Sequence, residues 1–502
     1  MTRSVLSLSL LAGALAPAFL APPAAAAPRF GTEEIVVRST ATFNGLSGTP
    51  NPFTAVSLTA KVTSPSGATY TVPGFFDGDG LGGATGNVWK IRIYADRVGT
   101  WKWTTSSATS GLGGKSGTFS CSGALAGRFA AGPIVENPQR PRSFMHQYGG
   151  PVFLAGKFLD QAASDPLKWS HTMFSEKMTE TNRQALLTRH QGMSLNKINV
   201  YLANKGDYGG TYPTTPWIGG ASSNDKTRFD LKRWRTYEQW VVKLRNAGFV
   251  AQLWFFADDS GFGDLPDADR KRLIHYGMAR LSGYVNTVFT GMLEWQEGWT
   301  TTEVSNHMTY LQQQNPWARH ASVHGTTGDF SFPSAAWADY MDTQPGNSAS
   351  HATVHSHGVR NRALAAKPLI IEEFGLGLED TAGRQKAWAA FLSGGAGIGT
   401  GAFLKRLTAF VPRVPFHLMD PNQALVRSGT AYALAQKGSV YLFYLPNGGT
   451  VSVDLASATG TLYGEWYNPR DGASVVAPTV AGGGVRTYTP PGAGDWVLRV
   501  RK

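Results

Sequence analysis

The chain has 502 residues, which is too long for one ordinary hydrophobic core, so two or three domains are expected. Hydrophobic residues make up 42% of the chain and charged residues 16%, which excludes a disordered polymer, while 59 glycines and 15 tryptophans indicate many turns and aromatic-lined surfaces. The net charge of +12 is compatible with an acidic polysaccharide or an anionic cell envelope as partner, and equally with simple solubility; the scattered Lys and Arg give no basis for a nucleic-acid partner.

The first 27 residues have the composition of a secretory signal peptide. Arg3 precedes an apolar stretch over residues 5–20, and small residues at 24–27 offer cleavage positions. A membrane anchor is disfavoured because the apolar stretch is short and Pro17 interrupts it. We therefore expect a secreted protein, extracellular or periplasmic, without a membrane span. The single cysteine, Cys121, excludes an intramolecular disulfide.

Residues 28–127 alternate short β-type runs with turn residues and show no sustained helical period. This pattern predicts an N-terminal Ig-like β-sandwich. Within it, the Asp-Gly-Asp-Gly segment at 77–80 predicts a turn between two strands. A calcium loop is the alternative for this segment, but the later acidic ligands of such a loop are missing.

Residues 128–427 alternate short apolar runs with amphipathic segments, which predicts a central (β/α)₈ TIM barrel. The eight predicted strands cover residues 152–155, 197–201, 250–255, 288–293, 321–323, 339–341, 369–371 and 401–404. Helix candidates between them include residues 231–246, 267–281, 302–313 and 384–392. Residues 428–502 return to a β pattern, so a small C-terminal β-sandwich completes a three-domain protein.

Two of the predicted strands end in pairs of glutamates. In a barrel of this kind the functional groups gather at the carboxyl ends of the strands. The fourth strand runs into Glu294 and Glu297, and the seventh runs into Glu372 and Glu373. Glycosidic cleavage needs one carboxyl that donates a proton to the leaving oxygen and another that meets the oxocarbenium-like centre. Two glutamates at facing strand ends could do both, and the position of Glu294 directly before Trp295, within the predicted strand, favours Glu297 on the fourth.

Several motifs are shared with a known family. They are Gly-Phe-Phe-Asp-Gly-Asp-Gly at 74–80, Trp-Lys-Trp at 101–103, Ser-Gly-Thr-Phe at 116–119, Asn-Lys-Ile-Asn-Val-Tyr at 196–201, Trp-Ala-Asp-Tyr-Met-Asp-Thr-Gln at 337–344, residues 367–375, and Trp-Tyr-Asn-Pro-Arg at 466–470. With these motifs the chain resembles the clan A glycoside hydrolases, and within them the apiosidase-like barrels that carry an N-terminal β-sandwich and a C-terminal collagen-binding-type β domain. The resemblance covers nearly the whole mature chain.

The resemblance implies a retaining mechanism. Clan A enzymes have an acid/base glutamate after the fourth strand, usually preceded by Asn, and a nucleophile at the seventh, directly before an aromatic residue and Gly. Carried over, Glu297 is the acid/base and Glu373, followed by Phe374 and Gly375, is the nucleophile, which leaves Glu372 a structural role. Gln296 stands where the family usually has Asn; it still offers an amide to a sugar hydroxyl.

Other strand ends supply candidate substrate contacts by position alone, and a loop hydrogen bond or a solvated charge is the alternative for each of them. They are Lys157 and Asp160 after the first strand, Tyr201 and Asn204 after the second, Asp258 after the third, Gln296 and Trp299 after the fourth, His324 after the fifth and Gln344 after the sixth. We expect no cofactor and no metal ion. The histidines at 351, 355 and 357 lack the glutamate of a helical zinc motif and predict a solvated segment.

Two other functions remain open at this stage. A polysaccharide lyase acting on a uronate-containing glycan would also suit a basic exported protein, and its unsaturated products would absorb ultraviolet light. A non-catalytic carbohydrate-binding surface protein would bind a glycan without turnover. The sequence does not define the sugar, the linkage or the oligomeric state.

Overall fold

The computed structural model describes residues 26–160, 163–164, 166–204, 211–220, 225–257, 265–375, 380–400 and 404–502. These residues form a β-rich N-terminal domain, a central α/β domain and a β-rich C-terminal domain, so the protein is multidomain. Among the described residues no helix combines the length and apolarity needed to cross a bilayer.

The N-terminal domain is one continuous sheet with the order β1-β7-β6-β3-β4-β5-β2. Its elements are β1 (Ala27–Arg29), β2 (Gly31–Asn44), α1 (Pro52–Ala55), β3 (Thr59–Thr63), β4 (Thr69–Phe76), β5 (Thr85–Ala95), β6 (Gly99–Ser106) and β7 (Ser116–Ala124). Strand β4 pairs with β3 as far as Pro73 and with β5 from Gly74 onward, so it belongs to both halves of the sheet. Ala27, the last residue of the predicted signal peptide, pairs with Cys121 in β7.

The predicted turn at 77–80 lies between β4 and β5. The Oδ1 atom of Asp79 accepts hydrogen bonds from the backbone N–H groups of Leu81 (2.7 Å) and Gly83 (2.9 Å), which closes the turn. Asp77 points the other way and forms ion pairs with Lys90 and Arg280. The two aspartates therefore have separate roles, one in the turn and one in a buried charge cluster.

A three-stranded antiparallel sheet, in the order β10-β9-β8, connects the N-terminal domain to the central domain. It consists of β8 (Ile134–Glu136), β9 (Phe144–His146) and β10 (Pro151–Val152). The turn between β8 and β9 is held by hydrogen bonds from Asn137 N–H to the Ser143 carbonyl (2.9 Å) and from Arg140 N–H to the Asn137 carbonyl (2.9 Å).

The central domain contains two four-stranded parallel sheets, β12-β13-β14-β15 and β11-β18-β17-β16. The strands are β11 (Leu154–Lys157), β12 (Lys197–Tyr201), β13 (Val250–Phe256), β14 (Thr287–Met292), β15 (Ala321–Ser322), β16 (Met341–Thr343), β17 (Leu369–Glu372) and β18 (Gly397–Thr400). A parallel bridge between His324 and Asp342 joins the sheets on one side, and on the other Asn196 N–H donates to the Ala155 carbonyl at 3.1 Å. In the described residues the eight strands therefore follow one another around the domain in chain order.

Helices separate these strands, and most of them begin at a residue whose side chain caps the first turn. The helices are α2 (Glu180–Gly192), α3 (Leu231–Asn246), α4 (Asp267–Leu281), α5 (Thr301–Gln313), α6 (His351–Leu364), α7 (Thr381–Leu392) and α8 (Lys405–Phe410). At α5 the capping is reciprocal, because Thr300 accepts from the backbone of Glu303 while Glu303 accepts from the backbone of Thr300.

Three strand predictions in this domain are displaced. The first strand is Leu154–Lys157 rather than 152–155, the sixth is Met341–Thr343 rather than 339–341, and the eighth is Gly397–Thr400 rather than 401–404. The eighth strand was missed because it is rich in glycine and has little apolar periodicity. Glycine is required there, since a Cβ at Gly399 would lie 2.8 Å from the carboxyl carbon of Glu372. Residues 401–403 lie outside the described part of the chain, and Leu404 caps α8.

The prediction of a solvated histidine segment is wrong. His355 and His357 are buried on α6, and His351 is half-buried. The His355 ring stacks on Tyr432 of the C-terminal domain with 4.1 Å between ring centroids, and Nε2 of His357 hydrogen bonds Thr343 Oγ1 at 3.0 Å. These histidines pack the helix against β16 and against the C-terminal domain.

The C-terminal domain has a six-stranded sheet, β19-β21-β22-β27-β24-β25, and a three-stranded sheet, β20-β23-β26. The strands are β19 (Asp420–Pro421), β20 (Val426–Ser428), β21 (Tyr432–Gln436), β22 (Val440–Leu445), β23 (Val451–Asp454), β24 (Thr461–Tyr467), β25 (Ser474–Ala481), β26 (Val485–Tyr488) and β27 (Trp496–Arg501). Tyr441, Phe443 and Leu498 are fully buried in its core.

Buried contacts connect the three domains. Arg280 on α4 forms ion pairs with Asp77 of the N-terminal domain (2.8 Å) and with Glu238 on α3, and Arg92 on β5 also pairs with Glu238 at 2.6 Å. On the other side, Arg384 on α7 pairs with Asp495 of the C-terminal domain at 2.9 Å. The central domain is therefore fixed to both neighbours through charges that are removed from water.

Candidate active site

Two glutamates at strand ends share an unusual backbone conformation. Glu294 lies two residues beyond β14 with φ of 40°, and Glu373 lies directly after β17 with φ of 48°. Non-glycine residues rarely adopt positive φ, and where they do the strain is often associated with a functional site. The backbone N–H of Glu373 donates to the Gly399 carbonyl at 2.9 Å, so the neighbouring strand β18 fixes its position.

Gln344 connects the sixth strand end to the fourth. It follows β16 directly, is buried, and donates a hydrogen bond from Nε2 to Oε1 of Glu294. The structure therefore brings Gln344, predicted as a substrate contact, onto Glu294, the alternative to the predicted acid. An amide donor on a carboxylate fixes the orientation of that carboxylate.

Glu297 and Gln296 lie farther out. Both are exposed on the short 3₁₀ turn Trp295–Glu297, one turn beyond the strand end. The backbone N–H of Glu297 donates to the Glu294 carbonyl at 3.0 Å, and Oε1 of Gln296 accepts from the Thr326 N–H at 2.9 Å. The predicted role of Glu297 remains a prediction, and Glu294 lies nearer the end of β14, two residues beyond it.

Aromatic rings form a floor under the first three strand ends. Tyr201 and Trp254 are buried with 5.5 Å between their ring centroids, and Phe158 lies 5.7 Å from Trp254. His171 lies over this layer, 4.4 Å from Phe158 and 4.6 Å from Tyr201. Leu293, directly before Glu294, belongs to the same apolar cluster. An apolar layer of this kind excludes water from one side of the candidate site.

A polar network fills the interior beneath Glu373. The ammonium of Lys197 donates to Glu372 Oε1, to Asn199 Oδ1 (2.9 Å) and to Gln252 Oε1 (2.8 Å), and both Lys197 and Glu372 are fully buried. Asn199 Nδ2 donates to the other Glu372 oxygen at 2.7 Å, and Gln252 Nε2 donates to Asp342 Oδ2 at 2.7 Å. Glu372 is thus a structural anchor, as the family resemblance implies, with its carboxylate held directly before Glu373.

Asp342 and His324 complete this network. Burial, and then the negative charge of Glu372, raise the pKa of Asp342 well above its usual value, and the charge of Lys197 and the hydrogen bond from Gln252 offset only part of this rise. Burial, and then the positive charge of Lys197, lower the pKa of His324 to about 3, so the imidazole is neutral at ordinary pH. In the described residues neither ring nitrogen of His324 nor Oδ1 of Asp342 has a hydrogen-bond partner.

His324, Asp342 and Glu372 bring one ligand atom each within 4.8 Å of one another, a set that resembles a metal site. The donor set is not an open one, because both Glu372 oxygens already accept hydrogen bonds and one of the donors is the Lys197 ammonium. A divalent cation would have to displace that ammonium. The geometry therefore favours a proton on Asp342 over a cation in this cluster.

The remaining predicted contacts have mixed positions. Lys157 and Asp160 are buried and paired with each other at 3.2 Å, and Asp160 also pairs with Arg189, so this couple serves mainly to brace the loop after β11. Asn204 exchanges backbone hydrogen bonds with Thr214 at 2.7 and 2.8 Å. Trp299 is buried, with its ring centroid 5.2 Å from that of Phe256, the last residue of β13, and with the guanidinium of Arg270 over its ring.

Asp258 lies outside the described residues. The sequence analysis did not identify three parts of the site: His171, Phe158 and the buried network around Lys197. For His171 the sequence contained one signal. The segment after the first strand carries Trp169 and His171 close together, which is unusual for a plain surface loop. The partners of Lys197 lie too far along the chain to be paired by spacing.

Comparisons with known proteins agree with this architecture. Residues 35–108 match a family model described as a domain of unknown function, DUF5060, and residues 421–501 match the model "Putative collagen-binding domain of a collagenase". No curated protein matches the chain in sequence.

Solved structures match over most of the chain. A structure described as "a putative glycoside hydrolase" from Bacteroides vulgatus is similar with a TM-score of 0.75 and 18% identity, covering 95% of this chain and 99% of that one. A family 5 glycoside hydrolase from Bacteroides vulgatus gives a TM-score of 0.60 at 15% identity, covering 74% of this chain and 94% of that one. A further glycoside hydrolase gives 0.63 at 16% identity, covering 74% and 98%. Likeness at this level of identity shows that the chain has the fold of these glycoside hydrolases.

Proposed function

We propose that the chain is a secreted glycoside hydrolase that cleaves O-glycosidic bonds of a polysaccharide or oligosaccharide. In this proposal the central domain is a closed (β/α)₈ barrel of the clan A type, flanked by an Ig-like sandwich and a small C-terminal β domain. The observation that carries the proposal is the pair of strand-end glutamates, Glu294 and Glu373, both in the left-handed backbone region at the carboxyl ends of β14 and β17. The fold neighbours, which are glycoside hydrolases, support it.

The proposed mechanism is retaining. Glu373 attacks the anomeric carbon and forms a glycosyl-enzyme intermediate, while the second glutamate protonates the leaving oxygen and then activates the water that releases the sugar. We assign this second role to Glu294 in place of Glu297, because Glu294 lies nearer the strand end, two residues beyond it, and because Gln344 orients its carboxylate. Glu297 is separated from the strand end by the 3₁₀ turn and is exposed.

The surroundings suit these roles. The apolar layer that includes Tyr201, Trp254 and Leu293 keeps one side of the site apolar, which strengthens electrostatic interactions with the developing positive charge. The Lys197 and Glu372 pair holds the end of β17, and this fixes the backbone from which Glu373 projects.

The test compares three variants, Glu373→Gln, Glu294→Gln and Glu297→Gln, on a panel of neutral and acidic polysaccharides, with reducing ends and ultraviolet absorbance followed together. We expect Glu373→Gln to abolish the release of reducing ends and Glu294→Gln to lower kcat by about 10²–10⁴-fold, the usual contribution of a general acid. Glu297→Gln is the matched control, since it makes the same chemical change three residues away, and it should change kcat less than about threefold, as surface substitutions usually do little.

The outcomes separate the alternatives. Loss of activity in Glu297→Gln with a retained rate in Glu294→Gln would restore the acid predicted from the sequence. Products that absorb ultraviolet light would establish a lyase, and binding without turnover would establish a carbohydrate-binding protein. For an active substrate, nuclear magnetic resonance of the first product anomer decides between retention and inversion.

A further inference from the structure

Three adjoining cavities lie at the end of the central domain opposite Glu373. They surround the amino-terminal ends of β11 and β18, where Phe153 and Ala396 precede the strands. Their volumes are about 140, 460 and 430 Å³. The first and third share Arg140 and His417 in their walls, the first and second share Phe416, and the second and third share Pro151. The cavities therefore adjoin one another, and we call the three together the basal groove.

The basal groove is basic. Arg128, Arg140, Arg142 and Arg362 line it, and among its described lining residues Asp420 is the one carboxylate. Arg362 pairs with Asp420 at 2.6 Å, whereas within the described chain the other three guanidinium groups have no carboxylate within ion-pair distance. The described lining of the groove thus carries more positive than negative charge.

The like charges crowd one another. Burial, and then the charge of Arg140, lower the pKa of His417, whose Nδ1 is buried without a hydrogen-bond partner among the described residues. The pKa of Arg362 is lowered as well, mainly by burial and in part by the nearby positive charge of Arg142. Several positive groups held near one another with a single described carboxylate among them favour the binding of an anion.

Part of the cluster is fixed before any ligand binds. Arg142 Nε donates to the Arg362 carbonyl at 3.1 Å, and Arg362 Nε donates to the Gly394 carbonyl at 3.1 Å. Gly394 permits this approach, because a Cβ there would lie 2.7 Å from Nε of Arg362. Arg140 is exposed and makes no side-chain hydrogen bond in the described chain, so its guanidinium is available to a ligand.

The second of the three cavities has apolar side chains beside a guanidinium group. Pro151, Phe153, Val411, Pro412 and Phe416 line it together with Arg128, and Pro151 and Pro412 are exposed. Apolar surface next to guanidinium groups suits a chain of sugar rings that carry negative charge, because ring faces pack on apolar side chains while carboxylates or sulfates accept hydrogen bonds from arginine. A free inorganic anion would use only the arginines.

We propose that the basal groove is a non-catalytic binding site for an acidic glycan, in which Arg140 and Arg128 contact carboxylate or sulfate groups. The site is distinct from the glutamate pair, so the protein would hold an acidic polysaccharide at one end of the central domain and act at the other. The net charge of +12 favours the approach of such a chain.

The test uses the full mature protein carrying Glu373→Gln, so that no bound glycan is turned over. Binding of a long oligogalacturonate and of dextran sulfate is measured by isothermal titration calorimetry, with a cello-oligosaccharide as the neutral probe. We expect the added pair Arg128→Gln and Arg140→Gln to weaken binding of both acidic probes at least about tenfold, the loss of about 1.4 kcal/mol or more. Binding of the neutral probe should not change.

The matched control is the pair Lys61→Gln and Lys115→Gln, which removes the same charge from exposed positions on the N-terminal domain. It should weaken the acidic probes less than twofold. Equal weakening by the two pairs would show a net-charge effect and overturn the groove. Unchanged binding in the Arg128 and Arg140 variant would overturn it as well, since the acidic glycan would then bind at the strand ends. Full competition by inorganic sulfate at constant ionic strength, without dependence on glycan length, would reduce the site to a free-anion pocket.

Discussion

Removal of the Lys197 ammonium should destabilise the central domain strongly. In Lys197→Met the side-chain volume is nearly kept, but Glu372 loses its ionic partner, and Asn199 and Gln252 lose a donor. Both members of the ion pair are fully buried, and breaking such a pair from one side costs about 3–5 kcal/mol. For a domain of this size, about 2 °C is lost per kcal/mol, so the thermal unfolding midpoint should fall by about 6–10 °C.

The measurement is the unfolding midpoint by circular dichroism or calorimetry at neutral pH, for the variant and for the wild-type protein. In the variant the buried Glu372 carboxylate has lost its cation, and the cost of burying an unpaired charge is what lowers the midpoint.

A double variant, Lys197→Met with Glu372→Gln, separates charge from packing. It removes both charges, and because an uncompensated buried carboxylate is the larger cost, it should recover at least about 2 kcal/mol of the loss. A fall of less than about 2 °C in Lys197→Met, or a double variant that recovers none of the loss, would refute the assignment of Lys197 as the charge partner of Glu372.

Two further perturbations test the interior and the base of the domain. In Asp342→Asn an amide replaces an acid whose pKa is raised by burial and by Glu372, so the wild type loses stability as the pH rises above the unfolded pKa of about 3.9, while the variant does not. The unfolding midpoint of the variant minus that of the wild type should therefore become more positive between pH 4.5 and pH 8. A constant difference would contradict a protonated Asp342. Gly394→Ala adds a Cβ within 2.9 Å of Pro421 at a residue with φ of 81°. It should lower the free energy of unfolding by about 1–3 kcal/mol more than the control Gly483→Ala, where φ is 86° and the space is open. Equal unfolding midpoints for the two variants would show that packing at Gly394 is loose.

The sequence predicted the strands with large apolar side chains well and the glycine-rich one poorly. The runs that became β12, β13 and β17 have the boundaries expected within about two residues. The eighth strand was displaced because the close approach of Glu372 to Gly399 requires glycine, and glycine carries no hydrophobic signal. Hydrophobic periodicity indicates which side chains face a core, and it gives no signal where the backbone itself makes the contact.

At the candidate site, chemistry was easier to predict than position. The two strand ends with glutamates were identified from the barrel rule alone. The sequence favoured Glu297 over Glu294, whereas our proposal of Glu294 rests on where β14 ends and on the left-handed φ of Glu294, which no sequence pattern reports. Gln344 lies 50 residues beyond Glu294, and its hydrogen bond forms only because β16 is placed near β14 in the folded domain.

The charge cluster between the N-terminal and central domains limits how this gene could be divided. Asp77 and Arg92 come from the first domain, while Glu238 and Arg280 come from the second, and all four are buried. A gene product that began after residue 127 would keep Arg280 and Glu238 but expose them to water with half of their partners missing. Recombination that exchanges only the first domain would have to preserve the charges at positions 77 and 92, so these two segments should be inherited together.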